Sequence, residues 1–265
     1  MKIGILCNYS KIKDENALDE FIAFIDSCGY ATVRFSKPSE ICGVDAVVIL
    51  GGDGAILHSA VAAAKNGVKI IGINYGNLGF LTEYEREEKE KIQELLSQLK
   101  EGTCRILKRS ILQCEIAGKT FYALNEISLQ RDLRVTASQI LGVDVQTEDG
   151  NNLVAGDGIL ICTPTGSTAY SLSAGGAILT PEVPVLMMTP ICAFSMRARP
   201  IVFSDDETFT IQVKRGQAVV LADGLAIAAL PENAEIRIKK APFTADFPVR
   251  ENSYFFTKVR SKLSE

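Results

Sequence analysis

Histidine is nearly absent: the chain of 265 residues has one, His58. That excludes a zinc site built on two or three imidazoles. It also leaves His58 as the only base for a Ser-His-Asp or Cys-His mechanism. No Gly-x-x-x-x-Gly-Lys-Ser/Thr occurs, so a Walker-type nucleotide site is absent, and no Gly-x-Gly-x-x-Gly follows the first apolar run. No Gly-x-Ser-x-Gly is present either, so Thr165-Gly166-Ser167 is not a nucleophile elbow. The apolar region 183–194 is cut by Pro184 and Pro190, too short to span a membrane. The apolar stretch in MKIGILCNYSK is too short for a signal peptide. Chemistry here must run mainly on carboxylates, backbone amides and a bound ion.

What is present belongs to an ordinary globular protein, 47% hydrophobic and 23% charged. At this length roughly 75% of the unfolded surface is buried on folding, enough for one or two cores. The net charge of -4 offers no global basic field to nucleic acid or anionic lipid. The 7 cysteines lack any C-x-x-C pair and read as small buried hydrophobes in a reducing cytosol. A cytoplasmic protein without nucleic-acid or membrane partners is expected.

Over the first hundred residues, apolar runs alternate with amphipathic stretches. Lys2 to Leu6, Asp45 to Leu50 and Val68 to Ile73 read as buried strands. Residues 17–28 carry Leu18, Phe21, Ile22 and Ile25 at helical spacing, and the alanine-rich 55–65 and the charged 85–100 also suit helices. This alternation implies a parallel sheet with helices on its faces. From Arg105 onward the apolar period drops to two. Short strands alternate with turns such as Ala117-Gly118-Lys119, Glu148-Asp149-Gly150-Asn151 and Lys214-Arg215-Gly216-Gln217. The expected class is therefore α+β: an α/β domain over residues 1–101 and a β-rich domain over 102–245.

Three blocks carry candidate chemistry. Gly51-Gly52-Asp53-Gly54 lies between a buried strand and a helix, where the carboxyl end of a parallel strand opens into a ligand crevice. Glycines admit a phosphate close to the backbone, and the helix start supplies free amides. Asp53 suits a proton acceptor or a ligand to phosphate-bound Mg²⁺; equally, it suits a plain helix cap. Asn125-Glu126 interrupts an apolar segment. Neighbours on a strand face opposite sides, so one of the pair faces a core or cleft, and together they could hold ribose hydroxyls. A solvent-facing strand end is the other reading. The run from Gly156-Asp157-Gly158 through Thr163-Pro164-Thr165-Gly166-Ser167-Thr168-Ala169-Tyr170-Ser171-Leu172-Ser173 follows a buried strand with hydroxyls, glycines and one ring. It suits a nucleoside, or a Ser/Thr-rich loop without a ligand.

Together with Asn77-Leu78-Gly79-Phe80-Leu81, Arg199-Pro200-Ile201-Val202, Asp223-Gly224 and Val259-Arg260-Ser261-Lys262-Leu263, these blocks resemble the NAD kinase family, bacterial type. The glycine-aspartate loop alone is shared with 6-phosphofructokinases and lipid kinases; the order and spacing of all the motifs is specific. The resemblance implies phosphoryl transfer from ATP, or from polyphosphate in some members, to the 2′-hydroxyl of the adenosine ribose of NAD. It implies an α/β domain beside a β-rich one, with the tail 246–265 returning to the first. It makes Asp53 the catalytic aspartate and Gly54 a backbone contact, and it places His58 and Phe80 near the nucleotide. Asn125 and Glu126 become the pair that holds ribose and adenine-side groups, and Asp157 a contact to the nicotinamide end. Thr165, Thr168, Ala169, Tyr170, Ser171 and Ser173 form the adenosine wall, with Tyr170 stacking. Mg²⁺ or another divalent cation travels with ATP, so no protein metal cage is expected. A homodimer or homotetramer with a shared NAD site is implied as well.

Four positions depart from the family pattern: Ala55, Ala155, Phe194 and Leu225 stand where threonine or serine, arginine, histidine and glutamine are common. They bear on how the phosphates and the ends of NAD are held, and they motivate an alternative, a dinucleotide-binding sensor without turnover. A lipid-type kinase sharing the loop is the other alternative, and the hydroxyl-rich run argues against its apolar acceptor pocket.

Overall fold

The computed structural model describes residues 1–7, 15–75, 79–135, 140–250 and 255–263. They form two compact units, one of Met1–Lys108 with Ala245–Glu265 and the other of Arg109–Thr244.

The first unit is built on a parallel sheet. Its strands are β1 (Lys2–Cys7), β2 (Ala31–Phe35), β3 (Ala46–Gly51), β4 (Lys69–Asn74) and β5 (Tyr84–Glu85), ordered β2-β1-β3-β4-β5. Every residue of β3 is buried, which is why it reads as an unbroken apolar run in the sequence. Helices α1 (Glu15–Ser27) and α3 (Lys89–Glu101) cover one face, where Leu18, Phe21, Ile25, Ile92, Leu95 and Leu96 share a core with Ile3, Ile5, Val48 and Ile71. Helix α2 (Asp53–Lys65) packs on β3 and β4 through Ile56, Ala60 and Ala63, all fully buried. Strand order reverses between β1 and β3, and in open parallel sheets that reversal leaves a crevice at the carboxyl ends of the strands. The loop from β3 into α2 opens there.

The chain returns to this unit through α5 (Phe255–Leu263). Lys258 Nζ lies 2.7 Å from Glu83 Oε2 and donates to the Thr82 carbonyl at 2.9 Å. Arg250 pairs with Glu88 at 2.6 Å and stacks its guanidinium 4.4 Å above the Tyr84 ring. Partial burial pushes the Glu88 carboxyl up, but hydrogen bonds from Lys91 and Arg250 outweigh it and bring Glu88 down to about 2. Burial pushes the Tyr84 phenol well above its ordinary value.

Beyond α3 the chain is almost entirely antiparallel strand. β6 (Arg105–Ile116) and β7 (Lys119–Ala123) form a hairpin, followed by β8 (Glu126–Arg131), β9 (Leu141–Thr147), β10 (Gly150–Gly156) and β11 (Gly158–Cys162). Then come the single-turn α4 (Tyr170–Ser173), β12 (Val185–Ile191), β13 (Ile201–Ser204), β14 (Phe209–Arg215), β15 (Ala218–Ala222), β16 (Leu225–Leu230) and β17 (Glu235–Val249). They sort into two sheets of six strands, β10-β9-β14-β17-β6-β7 and β13-β12-β11-β8-β15-β16. Strand β14 alternates buried and part-exposed residues, the period of a sheet with one face in the core. Its Phe209, Ile211 and Val213 meet Ile127, Leu129, Ile159 and Ile161 from the other sheet in one core. The architecture is thus a parallel α/β domain plus an antiparallel β-rich domain, with the tail belonging to the first.

Candidate functional site

In the first unit, Asp53 opens α2 behind Gly52, whose extended backbone (φ -111, ψ -174) is the N-cap. Its side chain is directed outward to the Gly79-Phe80-Leu81 segment: Phe80 N–H donates to Oδ2 at 2.7 Å and Leu81 N–H to Oδ1 at 3.0 Å. Both oxygens are therefore anchored by main chain. The approach demands glycine at 79, because a Cβ there would overlap the Asp53 carboxylate and come within 2.7 Å of Thr82 Oγ1. From α5, Lys262 Nζ lies 3.8 Å from Asp53 Oδ2 and 4.5 Å above the Phe80 ring. Phe80 also meets Phe255, with ring centroids 6.4 Å apart. Gly54 is exposed in the first turn of α2, and His58 is exposed one turn further along. Asn77 and Leu78 of the same motif lie outside the described residues.

A second constellation is contained in the other unit. Glu126 starts β8 and sits opposite Cys162 on β11. It is 6% exposed, its Oε2 has no hydrogen-bond partner, and burial followed by the nearby Asp223 charge pushes its carboxyl up to about 7. Asn125 is gripped by the chain that follows β11. The Thr163 N–H donates to the Asn125 carbonyl at 2.9 Å, and the Thr163 hydroxyl donates to the Leu124 carbonyl at 2.6 Å. Gly166 lies so close to the Asn125 backbone that a Cβ would collide with its carbonyl.

The hydroxyls of this run are largely turned inward. Buried Arg109 donates to Thr165 Oγ1 at 3.2 Å, Ser167 donates to the Pro164 carbonyl at 2.7 Å, and Thr168 donates to the Thr165 carbonyl at 3.3 Å. Ser171 Oγ, fully buried, shares a 2.9 Å bond with Thr189. Thr168, Ala169 and Tyr170 are half-buried, and Ser173 is exposed. The Tyr170 ring rests on Leu160, Cys162, Met187 and Ile191, leaving part of it accessible. The run forms a 3-10 turn, Thr165–Thr168, and then only the 4 residues of α4, because these side chains hydrogen-bond to local backbone. Asp157 stands between β10 and β11, 2.9 Å from Arg131 Nε.

The chain matches the ATP-NAD kinase N-terminal domain over residues 6–104 and the ATP-NAD kinase C-terminal domain over residues 124–248. An NAD kinase of Clostridium botulinum (strain Kyoto / Type A2) is 36% identical over 276 residues, spanning 99% of this chain and 96% of that protein. The chain belongs to the NAD kinase family. It is accordingly a phosphotransferase with an alcohol group as acceptor. An NAD kinase of Carboxydothermus hydrogenoformans is also 36% identical, over 84% of this chain and 80% of its own length. Among solved structures, an NAD kinase from Archaeoglobus fulgidus in complex with ATP matches with TM-score 0.82 and 26% identity, over 98% of this chain and 99% of that one. Yeast NADH kinase complexed with NADH shares the fold at TM-score 0.85 and 22% identity, over 100% of this chain and 87% of that one.

Within the family frame, the departing residues lie mostly on the surface: Ala155 is exposed, and Phe194 and Leu225 are 79% and 58% exposed. Ala55 is half-buried in the first turn of α2. The contacts of three residues emerge only in three dimensions. Lys262 meets Asp53 across almost the whole chain, Arg109 lies under Thr165, and Asp223 contacts the Asn125-Glu126 segment. Asp223-Gly224 and Lys262 lie in motifs quoted above, but of the three positions only Asp223-Gly224 has a sequence signal for its local structure, that of a tight hairpin turn.

Glu126 makes a stability prediction. Its folded pKa of about 7 lies above the ordinary 4.5. The folded state therefore holds a proton that the unfolded state has released, and this contribution is full below pH 4.5 and lost as pH rises through 7. Between those limits the loss is on the order of 3 kcal/mol. Glu126→Gln is expected to flatten this slope, so that chemical denaturation at pH 5 and pH 8 gives more similar stabilities than in the parent.

Proposed function

We propose that this chain transfers the terminal phosphoryl group of ATP to the 2′-hydroxyl of the adenosine ribose of NAD, giving NADP. The observation that carries this reading is the Asp53 carboxylate, fixed by two main-chain amides on the loop at the sheet's reversal point, in a chain that matches an NAD kinase over 99% of its length. A carboxylate held by both oxygens is oriented before substrate arrives, so reaction needs little reorganisation. Asp53 takes the proton of the attacking hydroxyl. Gly54 and the amides of the first turn of α2 meet the phosphate chain at a helix N-terminus. His58 contributes to nucleotide binding from the exposed face of that helix. Phe80 supports both Asp53, through its amide, and Lys262, through its ring. Asn125 and Glu126 hold ribose hydroxyls, and Glu126, pushed up to about 7, donates as well as accepts when it carries its proton. Asp157 contacts the nicotinamide end. Tyr170 stacks, with Thr165, Thr168, Ala169, Ser171 and Ser173 shaping the wall around it.

Loose phosphoryl-transfer transition states need positioning and charge neutralisation more than a strong base. Mg²⁺ or another divalent cation carried on ATP supplies part of that neutralisation. The donor set at the loop fits such a guest: Asp53 offers one partly exposed carboxylate. Lys262 supplies fixed positive charge beside Asp53. Lys262→Ala is expected to raise the KM for ATP about tenfold, the loss of one charge-assisted contact, with kcat changed less. Steady-state kinetics with ATP varied at saturating NAD measures it.

Assembly into a homodimer or homotetramer with a shared NAD site is part of the same reading. Its support is a set of exposed apolar side chains on the β-rich unit: Leu153 is 68%, Phe194 79%, Met196 82% and Val202 48% exposed. A cytoplasmic setting is supported by seven free cysteines, of which Cys114 and Cys162 are pushed up to about 12 by burial and so stay as inert thiols. Among the described residues, no helix is long and apolar enough to cross a membrane.

Incubation of the purified protein with NAD, ATP and Mg²⁺ tests the function. NADP accumulation is the expected result. Its absence with both ATP and inorganic polyphosphate would overturn the reading.

A further inference from the structure

The turn between β15 and β16 reaches back to the start of β8. Asp223 (φ +47) and Gly224 (φ +80) both lie in the left-handed region, the backbone of a two-residue hairpin. A non-glycine residue in that region is uncommon. From this posture the Asp223 carboxylate accepts three consecutive main-chain amides: Leu124 N–H to Oδ2 at 2.8 Å, Asn125 N–H to Oδ1 at 2.8 Å and Glu126 N–H to Oδ1 at 3.2 Å. Its own N–H donates to the Glu126 carbonyl at 3.0 Å.

Hydrogen bonds to an ionised acceptor are roughly twice as strong as neutral ones. Three amides converging on one carboxylate fix the backbone angles of residues 124–126, and with them the directions in which the Asn125 and Glu126 side chains leave the chain. The opposite side of the same segment is pinned by Thr163 and Gly166. The ladder of β8 begins only at Glu126, so the amides of Leu124 and Asn125 depend on Asp223 for an acceptor.

We propose that Asp223 is a positioning residue for the dinucleotide: by clamping the amides of residues 124–126 it aims Asn125 and Glu126, without touching a reacting atom itself. This rests on the reading of Asn125 and Glu126 as the pair that holds the dinucleotide. The clamp also brings a negative charge to Glu126. The titratable groups that act on or feel Glu126 are Asp223 from the β15–β16 turn, Cys162 from β11 and Tyr170 from α4. Of these, Asp223 is the group whose charge pushes Glu126 up, favouring its protonated form.

The test compares Asp223→Ala and Asp223→Asn with the parent in three readouts: KM for NAD against KM for ATP, the pH dependence of the KM for NAD, and amide hydrogen exchange at residues 124–126. Asp223→Ala is expected to raise the KM for NAD by about tenfold or more, the effect of losing a charged hydrogen-bond acceptor, and to leave the KM for ATP near its parent value. Exchange at 124–126 accelerates in both variants. Asp223→Asn, which keeps the side-chain volume, shifts the pH dependence of the KM for NAD toward lower pH. If Asp223→Ala fails to fold, the Asn variant carries the same comparison. An unchanged KM for NAD in a folded variant overturns the proposal, whether or not exchange accelerates. A parent protein that forms no NADP would instead overturn the functional reading, and the exchange data then decide the clamp by themselves.

Discussion

Asp53→Asn is expected to leave the protein folded and to lower NADP formation by about 10²–10⁴-fold, the range for loss of a positioned acid-base group. The substitution keeps the shape of the side chain but not its acceptors. Both carboxylate oxygens receive main-chain N–H groups, from Phe80 and Leu81. An amide satisfies only one of them and turns its own NH₂ toward the other. Replacing a charged acceptor at one such contact costs about 1–3 kcal/mol, so a modest fall in Tm accompanies the loss of turnover. The Lys262 ammonium at 3.8 Å also loses its counter-charge, so phosphate binding survives better than catalysis does. Kinetics and thermal unfolding of the purified variant check both parts. A variant with parental kcat would remove Asp53 from the chemistry.

Gly79→Ala has the second-largest expected effect, and its origin is steric. The new Cβ occupies the space of the Asp53 carboxylate and comes within 2.7 Å of the Thr82 hydroxyl. Either Asp53 leaves its two amides or the 79–81 segment moves off the loop. Overpacking of this kind costs about 1–3 kcal/mol in stability. The loss of activity is larger, because a 1 Å misplacement of a catalytic group is worth on the order of 10²-fold. Because Asp53 itself is retained, the kcat of Gly79→Ala separates the orientation of the carboxylate from its presence. Serine at 79 should behave like alanine, since both bring the same Cβ.

The parts of the fold legible in sequence are those where one physical pattern dominates. Strands β1, β3 and β4 are buried almost throughout and appear as continuous apolar runs. Strand β2, Ala-Thr-Val-Arg-Phe at the sheet edge with only Phe35 buried, has no such run and is found only in the structure. The charged helix expected from residue 85 starts at Lys89, because Tyr84–Glu85 extends the sheet as β5. In the β-rich unit the turns announce themselves: Ala117 and Gly118, at φ 47 and 75, make a tight hairpin between β6 and β7.

The candidate site divides in the same way. Asp53 is legible because its neighbours on both sides, a buried strand and an alanine-rich helix, specify the end of a parallel strand. The role of Lys262 is not, since nothing in an amphipathic C-terminal helix says which lysine meets an aspartate far up the chain. Composition also could not show which way the hydroxyls of 163–173 turn. Thr163, Ser167 and Ser171 bind their own scaffold, with bonds of 2.6, 2.7 and 2.9 Å, so the run is as much a brace for Asn125 and Glu126 as a wall for a ligand.

Which hydroxyl is phosphorylated tests the central claim most directly. The purified protein, given ATP, Mg²⁺ and either NAD or its analogue lacking the 2′-hydroxyl on the adenosine ribose, is followed by phosphorus NMR of the dinucleotide product. The account predicts one new phosphomonoester signal from NAD and none from the 2′-deoxy analogue. A phosphorylated product from the analogue, or phosphate at another position of NAD, would contradict it.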